Sequence, residues 1–186
     1  MILAGVDEAG RGPLAGPVMA AAVVLTDSQR EELLALGLRD SKKMTPLRRE
    51  KVFARMCELG VVCRAWAVPA EIIDRDNILQ ATLSAMRRCV ERLPVPVDGV
   101  IVDGNREIPG IPYYQEAVIG GDDRYPEISA ASVAAKVLRD RIMLFYDRLY
   151  PGYGFARHKG YGTPAHRQAI AELGPCPIHR RSFSWK

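Results

Sequence analysis

Cysteine is scarce in this 186-residue chain, and Cys57, Cys63, Cys89 and Cys176 include no C-x-x-C pair. That scatter excludes a zinc knuckle and a disulfide-stapled scaffold, so reduced thiols are expected. Long apolar runs are missing too. The longest, Pro17 to Leu25, is far shorter than the roughly 20 residues that cross a bilayer. The opening MILAGVDEAGRG has no basic leader and meets two acids straight after Val6, so a cytoplasmic protein with no membrane contact is expected. No linker, low-complexity tract or fixed-period repeat divides the sequence, which points to one domain over residues 1–186, monomeric by default. The three histidines, His158, His166 and His179, share no metal-ligand spacing, which argues against zinc and leaves them hydrogen-bonding or phosphate-side roles.

What is present is an ordinary globular composition, 48% hydrophobic and 26% charged, enough apolar material for a real core. The net charge of +4 is unevenly placed. From Pro151 onward Arg157, Lys159, Arg167, Arg180, Arg181 and Lys186 face Glu172 alone, a basic segment of net +5 suited to a polyanionic partner.

Ile2 to Val6 and Val18 to Leu25 read as two strands joined as a hairpin. Ser28 is positioned to cap a helix through Leu36, and Thr45 with Pro46 opens another through Leu59. Val61 to Val68 reads as a third strand. Helical spacing from Ala70 to Leu93 breaks near Asn77, then Gly99 to Val102 forms a short buried strand and Ala117 to Ile119 a further one. Ser129 to Tyr150 is the strongest helix, rich in alanine and free of interior Gly or Pro. A last helix spans Thr163 to Leu173. Early strands followed by alternating strands and helices predict an α/β, three-layer fold with a central mixed sheet flanked by helices.

Acids stand where a core should begin. Asp7 and Glu8 follow the first strand, Asp103 follows Val100-Ile101-Val102, and Asp122 lies in the turn after Ala117 to Ile119, beside Asp123. Isolated buried carboxylates are costly. If these strand ends are neighbours, the acids repel one another unless hard cations neutralise them, and carboxylate oxygens suit Mg²⁺ or Mn²⁺. Two such ions are suited to phosphodiester displacement. Taken singly, each acid is more readily a turn residue. On a regular strand Asp7 and Glu8 point to opposite faces, so both serve one site only if the strand ends or bulges there.

Gly10-Arg11-Gly12-Pro13-Leu14-Ala15-Gly16 superficially matches a dinucleotide fingerprint, but strand-like residues follow where a helix must open, and the nearby acids would repel a pyrophosphate. Two glycines around an arginine instead bring bare backbone against a ligand, with the guanidinium free for phosphate.

Five segments in order now resemble one family. Asp7 to Gly16, Asp40-Ser41-Lys42-Lys43, Val102-Asp103-Gly104-Asn105, Ile128 to Val137 and His158-Lys159-Gly160-Tyr161 are similar to the motifs of bacterial ribonuclease HII, the type 2 ribonucleases H. The resemblance implies a ribonuclease H-like fold and an endonuclease, active in DNA replication and ribonucleotide repair. It would cut the RNA strand of RNA–DNA hybrids and nick 5′ of ribonucleotides embedded in duplex DNA, leaving 5′-phosphate and 3′-hydroxyl ends. It implies Asp7, Glu8, Asp103 and Asp122 as catalytic acids holding two Mg²⁺ or Mn²⁺ ions. It assigns Gly10, Arg11 and Gly12 to sensing the 2′-hydroxyl that distinguishes RNA from DNA, and Tyr161 to packing on the junction sugar. Lys42 and Lys43 become candidate phosphate contacts, and Lys136 and Arg139, near one turn apart on a helix, are expected to face the duplex. Some family members carry a further C-terminal helical segment; a chain ending in Ser182-Phe183-Ser184-Trp185-Lys186 would rely more on its basic segment. The competing readings are a non-catalytic nucleic-acid-binding protein and a dinucleotide-dependent oxidoreductase.

Overall fold

The computed structural model describes residues 1–186. Its core is a five-stranded mixed sheet in the order β3-β2-β1-β4-β5. The hairpin of β1 (Leu3–Ala9) and β2 (Val18–Val24) is antiparallel, as is β2 with β3 (Val62–Val68). β4 (Gly99–Asp103) lies parallel to β1, and β5 (Tyr114–Val118) parallel to β4. β1 and β2 are central, and β2 is buried along its whole length, which fits its unbroken run of small and β-branched residues.

Helices cover both faces, giving the expected three layers. On one face, α3 (Ala70–Asp76) leads into α4 (Ile78–Glu91), which packs on alternate strand residues such as Val6, Ala20, Val68 and Val102. On the other, α1 (Asp27–Ala35), α2 (Pro46–Glu58) and α5 (Pro126–Leu149) cover Met19, Ala21 and Val23. A third apolar cluster, with Met143, Tyr153, Phe155 and Ile178, ties α6 (Phe155–His158), α7 (Pro164–Leu173) and the final residues to Ala15 in the β1–β2 connection.

Several boundaries differ from expectation for local reasons. β1 continues through Asp7 and Glu8 to Ala9 because β2 pairs with it in register as far as Met19. α1 is capped by Thr26, not Ser28, through a capping box with Gln29. α5 begins at Pro126 instead of Ser129. Proline is tolerated in the first turn, and Glu127 there is fixed by Arg30 at 2.6 Å. β5 starts at Tyr114, its polar residues tolerated on an edge strand. The break at Asn77 is as expected: the residue has φ +71° and its side chain accepts from Gln80 N.

Gly5 sets how closely α5 approaches. A Cβ there would lie 2.2 Å from the backbone carbon of Glu127, so only glycine allows the first turn of α5 to rest directly on β1.

Candidate active site

Parallel β1 and β4 place Val6 beside Val102, with both side chains on the α4 face. The next residues, Asp7 and Asp103, therefore point to the α5 face. Asp103 Oδ1 accepts from Gly121 N at 2.8 Å, and Ser129 donates its hydroxyl to the Asp122 carbonyl at 2.5 Å. Those bonds hold the turn after β5 so that Asp122 is buried beside the other two acids. One carboxylate oxygen each from Asp7, Asp103 and Asp122 lies within 4.8 Å of the others. Asp123 turns outward to Lys43 at 2.7 Å, so of the two adjacent acids it is Asp122 that joins the group.

Glu8 does not join that group of three. β1 neither ends nor bulges there: Asp7 stands opposite Ala21 and Glu8 opposite Ala20 in an unbroken ladder. Glu8 accordingly projects toward the α4 face. It lies 3.9 Å from Arg11 Nη1, on the wall shared by two adjoining clefts.

The electrostatics follow from this crowding. Burial, then the charges of Glu8 and Asp103, raise the Asp7 carboxyl well above the usual carboxylate range. Burial and Asp103 push Asp122 up to about 6, and a hydrogen bond with the buried Asp40 adds to the rise. Burial raises Glu8 as well, with Arg11 pulling the other way and Asp103 adding to the rise. Lys42 responds in the opposite sense. Burial works against its charge, yet Asp122, Asp40, Asp7 and Asp103 together raise its pKa. A donor set made only of carboxylate oxygens gathered within 4.8 Å of one another fits a hard divalent cation.

Asp7, Glu8 and Asp103 line a cleft of about 260 Å³ together with Gly10, Arg11, Gly12, Lys42, Lys136 and Tyr161, with Asp122 buried beside Asp7 and Asp103. Tyr161 is 41% exposed and presents its ring beside Gly12 and below Lys136, whose ammonium is 5.7 Å from the ring centroid. Lys43, half-exposed and paired with Asp123, lies outside that lining. Arg139 corrects an expectation. It is 1% exposed and donates to the carbonyls of Ala15, Pro17 and Lys159, so it holds backbone and does not face the cleft. The three histidines likewise form a buried cluster and have no phosphate-side role. His166 Nε2 is 3.0 Å from His179 Nε2, and the His158 and His166 rings stack at 4.2 Å.

Other cleft residues had escaped notice as site residues. Ser132 on α5 bonds Ser41 at 2.6 Å and stands beside Asp7, while Arg49 donates to the Ser41 and Met44 carbonyls. The Asp40-Ser41-Lys42-Lys43 and Ile128 to Val137 segments were the signal, but sequence did not show which of their side chains point inward. The basic segment after Pro151 is only partly solvated. Arg180 is fully buried, and Arg167 is spent on the carbonyls of Gly162, Ser184 and Lys186.

Residues 4–186 match the family model described as Ribonuclease HII. A Polaromonas protein named Ribonuclease HII is 54% identical over 184 residues, 98% of this chain and 89% of its own. One of the same name from Geobacter sulfurreducens is 52% identical over 184 residues, 97% and 81% of the two chains. The crystal structure of ribonuclease H2 from Pyrococcus horikoshii superposes with a TM-score of 0.83 at 28% identity, covering 100% of this chain and 95% of the other. The ribonuclease H-like fold implied by the motifs is therefore the fold observed. No helix is long and apolar enough to cross a membrane.

Proposed function

Because the chain belongs to the ribonuclease HII family, metal-dependent endonucleases acting on RNA–DNA hybrids, we propose that it also nicks duplex DNA 5′ of a single embedded ribonucleotide, leaving 5′-phosphate and 3′-hydroxyl ends. The observation that carries this reading is the convergence of Asp7, Asp103 and Asp122, the first two of which line one cleft with a bare glycine loop and an exposed tyrosine. Asp7, Asp103 and Asp122 would hold two divalent ions, Mg²⁺ or Mn²⁺, and Glu8 would add a carboxylate without a bulge in β1, because its carboxyl reaches the same cleft and lies near those of Asp7 and Asp103. When bound, such ions neutralise the acids, polarise the scissile phosphate and lower the pKa of water.

The chain's own residues supply recognition and placement. The amides of Gly10, Arg11 and Gly12 have no acceptor within the protein and border the cleft, so they are available to a sugar hydroxyl and the adjoining phosphate. Tyr161 offers a flat face to the junction sugar and base. Lys42 and Lys136 bring positive charge to the phosphate backbone, with Lys43 reaching it only by leaving Asp123. The protein does this as a single, monomeric catalytic domain.

The test is to incubate the protein with end-labelled duplex DNA carrying one ribonucleotide, in Mg²⁺, Mn²⁺ or EDTA, beside an all-DNA duplex. Metal-dependent nicking 5′ of the ribonucleotide alone is expected, and Asp103→Asn should lower it by roughly a hundredfold or more. Equal cutting of the all-DNA duplex would reject the 2′-hydroxyl reading.

A further inference from the structure

Arg180 is 0% exposed, and its guanidinium takes backbone carbonyls where a buried arginine normally takes a carboxylate. Its Nη2 donates to Gly10 O at 2.5 Å, Nη1 to Arg11 O at 2.8 Å and Nε to Gly16 O at 3.0 Å. Its own amide donates to Leu14 O at 2.8 Å. From the opposite side Arg139 donates to Ala15 O at 3.0 Å and Pro17 O at 2.9 Å, and to Lys159 O at 2.8 Å near Tyr161. The loop is squeezed between them: a Cβ on Gly10, whose φ is +90°, would sit 2.0 Å from Arg139 Nε.

We propose that Arg180, with Arg139 opposite, is a positioning residue that sets discrimination between ribose and deoxyribose by fixing the backbone of the Gly10–Gly12 loop. This rests on the reading of that loop as the 2′-hydroxyl sensor. With the carbonyls of Gly10 and Arg11 anchored on Arg180, the peptide planes are fixed and the amides of Arg11 and Gly12 stay turned to the cleft. A planar guanidinium holds two neighbouring carbonyls and a third further along the loop at once. An ammonium is a point donor on a shorter fork and cannot reproduce that pattern. The energetic cost of burying a cation is tolerated because it makes the loop rigid before substrate arrives.

The experiment compares wild type, Arg180→Lys and Arg139→Lys in binding two fluorescent duplexes in Ca²⁺, one with a single ribonucleotide and one all DNA, alongside thermal unfolding. Wild type should bind the ribonucleotide duplex more tightly. Both variants should lose that ratio, with weaker binding of the ribonucleotide duplex, unchanged binding of the all-DNA duplex, and a KM for nicking raised about tenfold, the equivalent of about 1.4 kcal/mol. Simple destabilisation would lower the active fraction and leave both ratio and KM alone. Cys176→Ala, which trims the same apolar cluster without touching either guanidinium, should keep the ratio, and losing it there would overturn the proposal. A wild-type ratio of one refutes the sensor reading itself; a wild-type preference retained in Arg180→Lys refutes the positioning role alone. Should Arg180→Lys not fold, Arg139→Lys carries the test alone, since Arg139 holds the Ala15 and Pro17 carbonyls of the same connection. An unchanged ratio there overturns the proposal.

Discussion

At the scale of single residues, Asp122 and Asp123 show how much one position matters. They are adjacent and chemically identical, yet one is buried with Asp7 and Asp103 and the other is paired with Lys43 at the surface. Asp122→Asn should lower nicking by about a hundredfold or more, whereas Asp123→Asn should stay within a few-fold of wild type. The same pair separates stability from function. A carboxyl raised to about 6 from the ordinary 3.8 stabilises the fold below the unfolded value and loses that contribution as pH rises through 6. In EDTA at pH 7, Asp122→Asn should therefore melt higher than wild type, by a few degrees, with the gap closing toward pH 4. Adding Mn²⁺ should raise Tm for wild type and much less for the variant. Asp7 and Asp103 were legible in the sequence because each directly follows an apolar run, where a carboxylate has no packing reason to be, whereas only the family resemblance set Asp122 apart from Asp123. The face taken by Glu8 was not legible, since it depends on whether β2 keeps pairing beyond Val6. Nor was the burial of Arg180, because an arginine in a basic stretch reads the same whether it meets water or carbonyls.

At the scale of elements, the site depends on how α5 is seated. Its first turn carries Ser129, which anchors the Asp122 turn, and it rests on Gly5 with no room for a methyl group. Gly5→Ala should cost roughly 3 kcal/mol through overpacking, roughly 6 to 12 °C in Tm for a domain of this size. In the fraction that still folds, α5 must shift away from β1 and take Asp122 with it, so activity should fall further than the folded fraction does. Measuring specific activity against the native circular dichroism signal checks this. Most elements were readable from the sequence: the hairpin, the break at Asn77 and all the main helices. What misled were element ends, where a tertiary partner decides. Glu127 meets Arg30 and draws α5 three residues earlier, and β2 extends β1 across both acids.

For the whole molecule, the third apolar cluster and its three imidazoles join the C-terminal third to the sheet. Burial, reinforced by His166, lowers His179 to about 4 from the ordinary 6.5, and burial lowers His158 and His166 too. A depressed folded-state value means the stability is fully present above pH 6.5 and is lost as pH falls toward 4, by roughly 3 kcal/mol for His179 alone. The urea midpoint should fall over that window, and His179→Gln should flatten the dependence. The layered α/β plan was visible in the order of strands and helices; this histidine cluster was not, because its members come from α6, α7 and the segment beyond.

The contacts of Arg180 also join segments 170 residues apart in the chain. Gly10 emerges from the ribosome 170 residues ahead of the guanidinium that holds its carbonyl. Asp7, Asp103 and Asp122 all precede that arginine in the sequence. On the proposed reading, the acids and the anchor of the glycine loop are thus laid down at separate points of the sequence, so a lesion confined to the segment around Arg180 would blunt selectivity while leaving the acids in place.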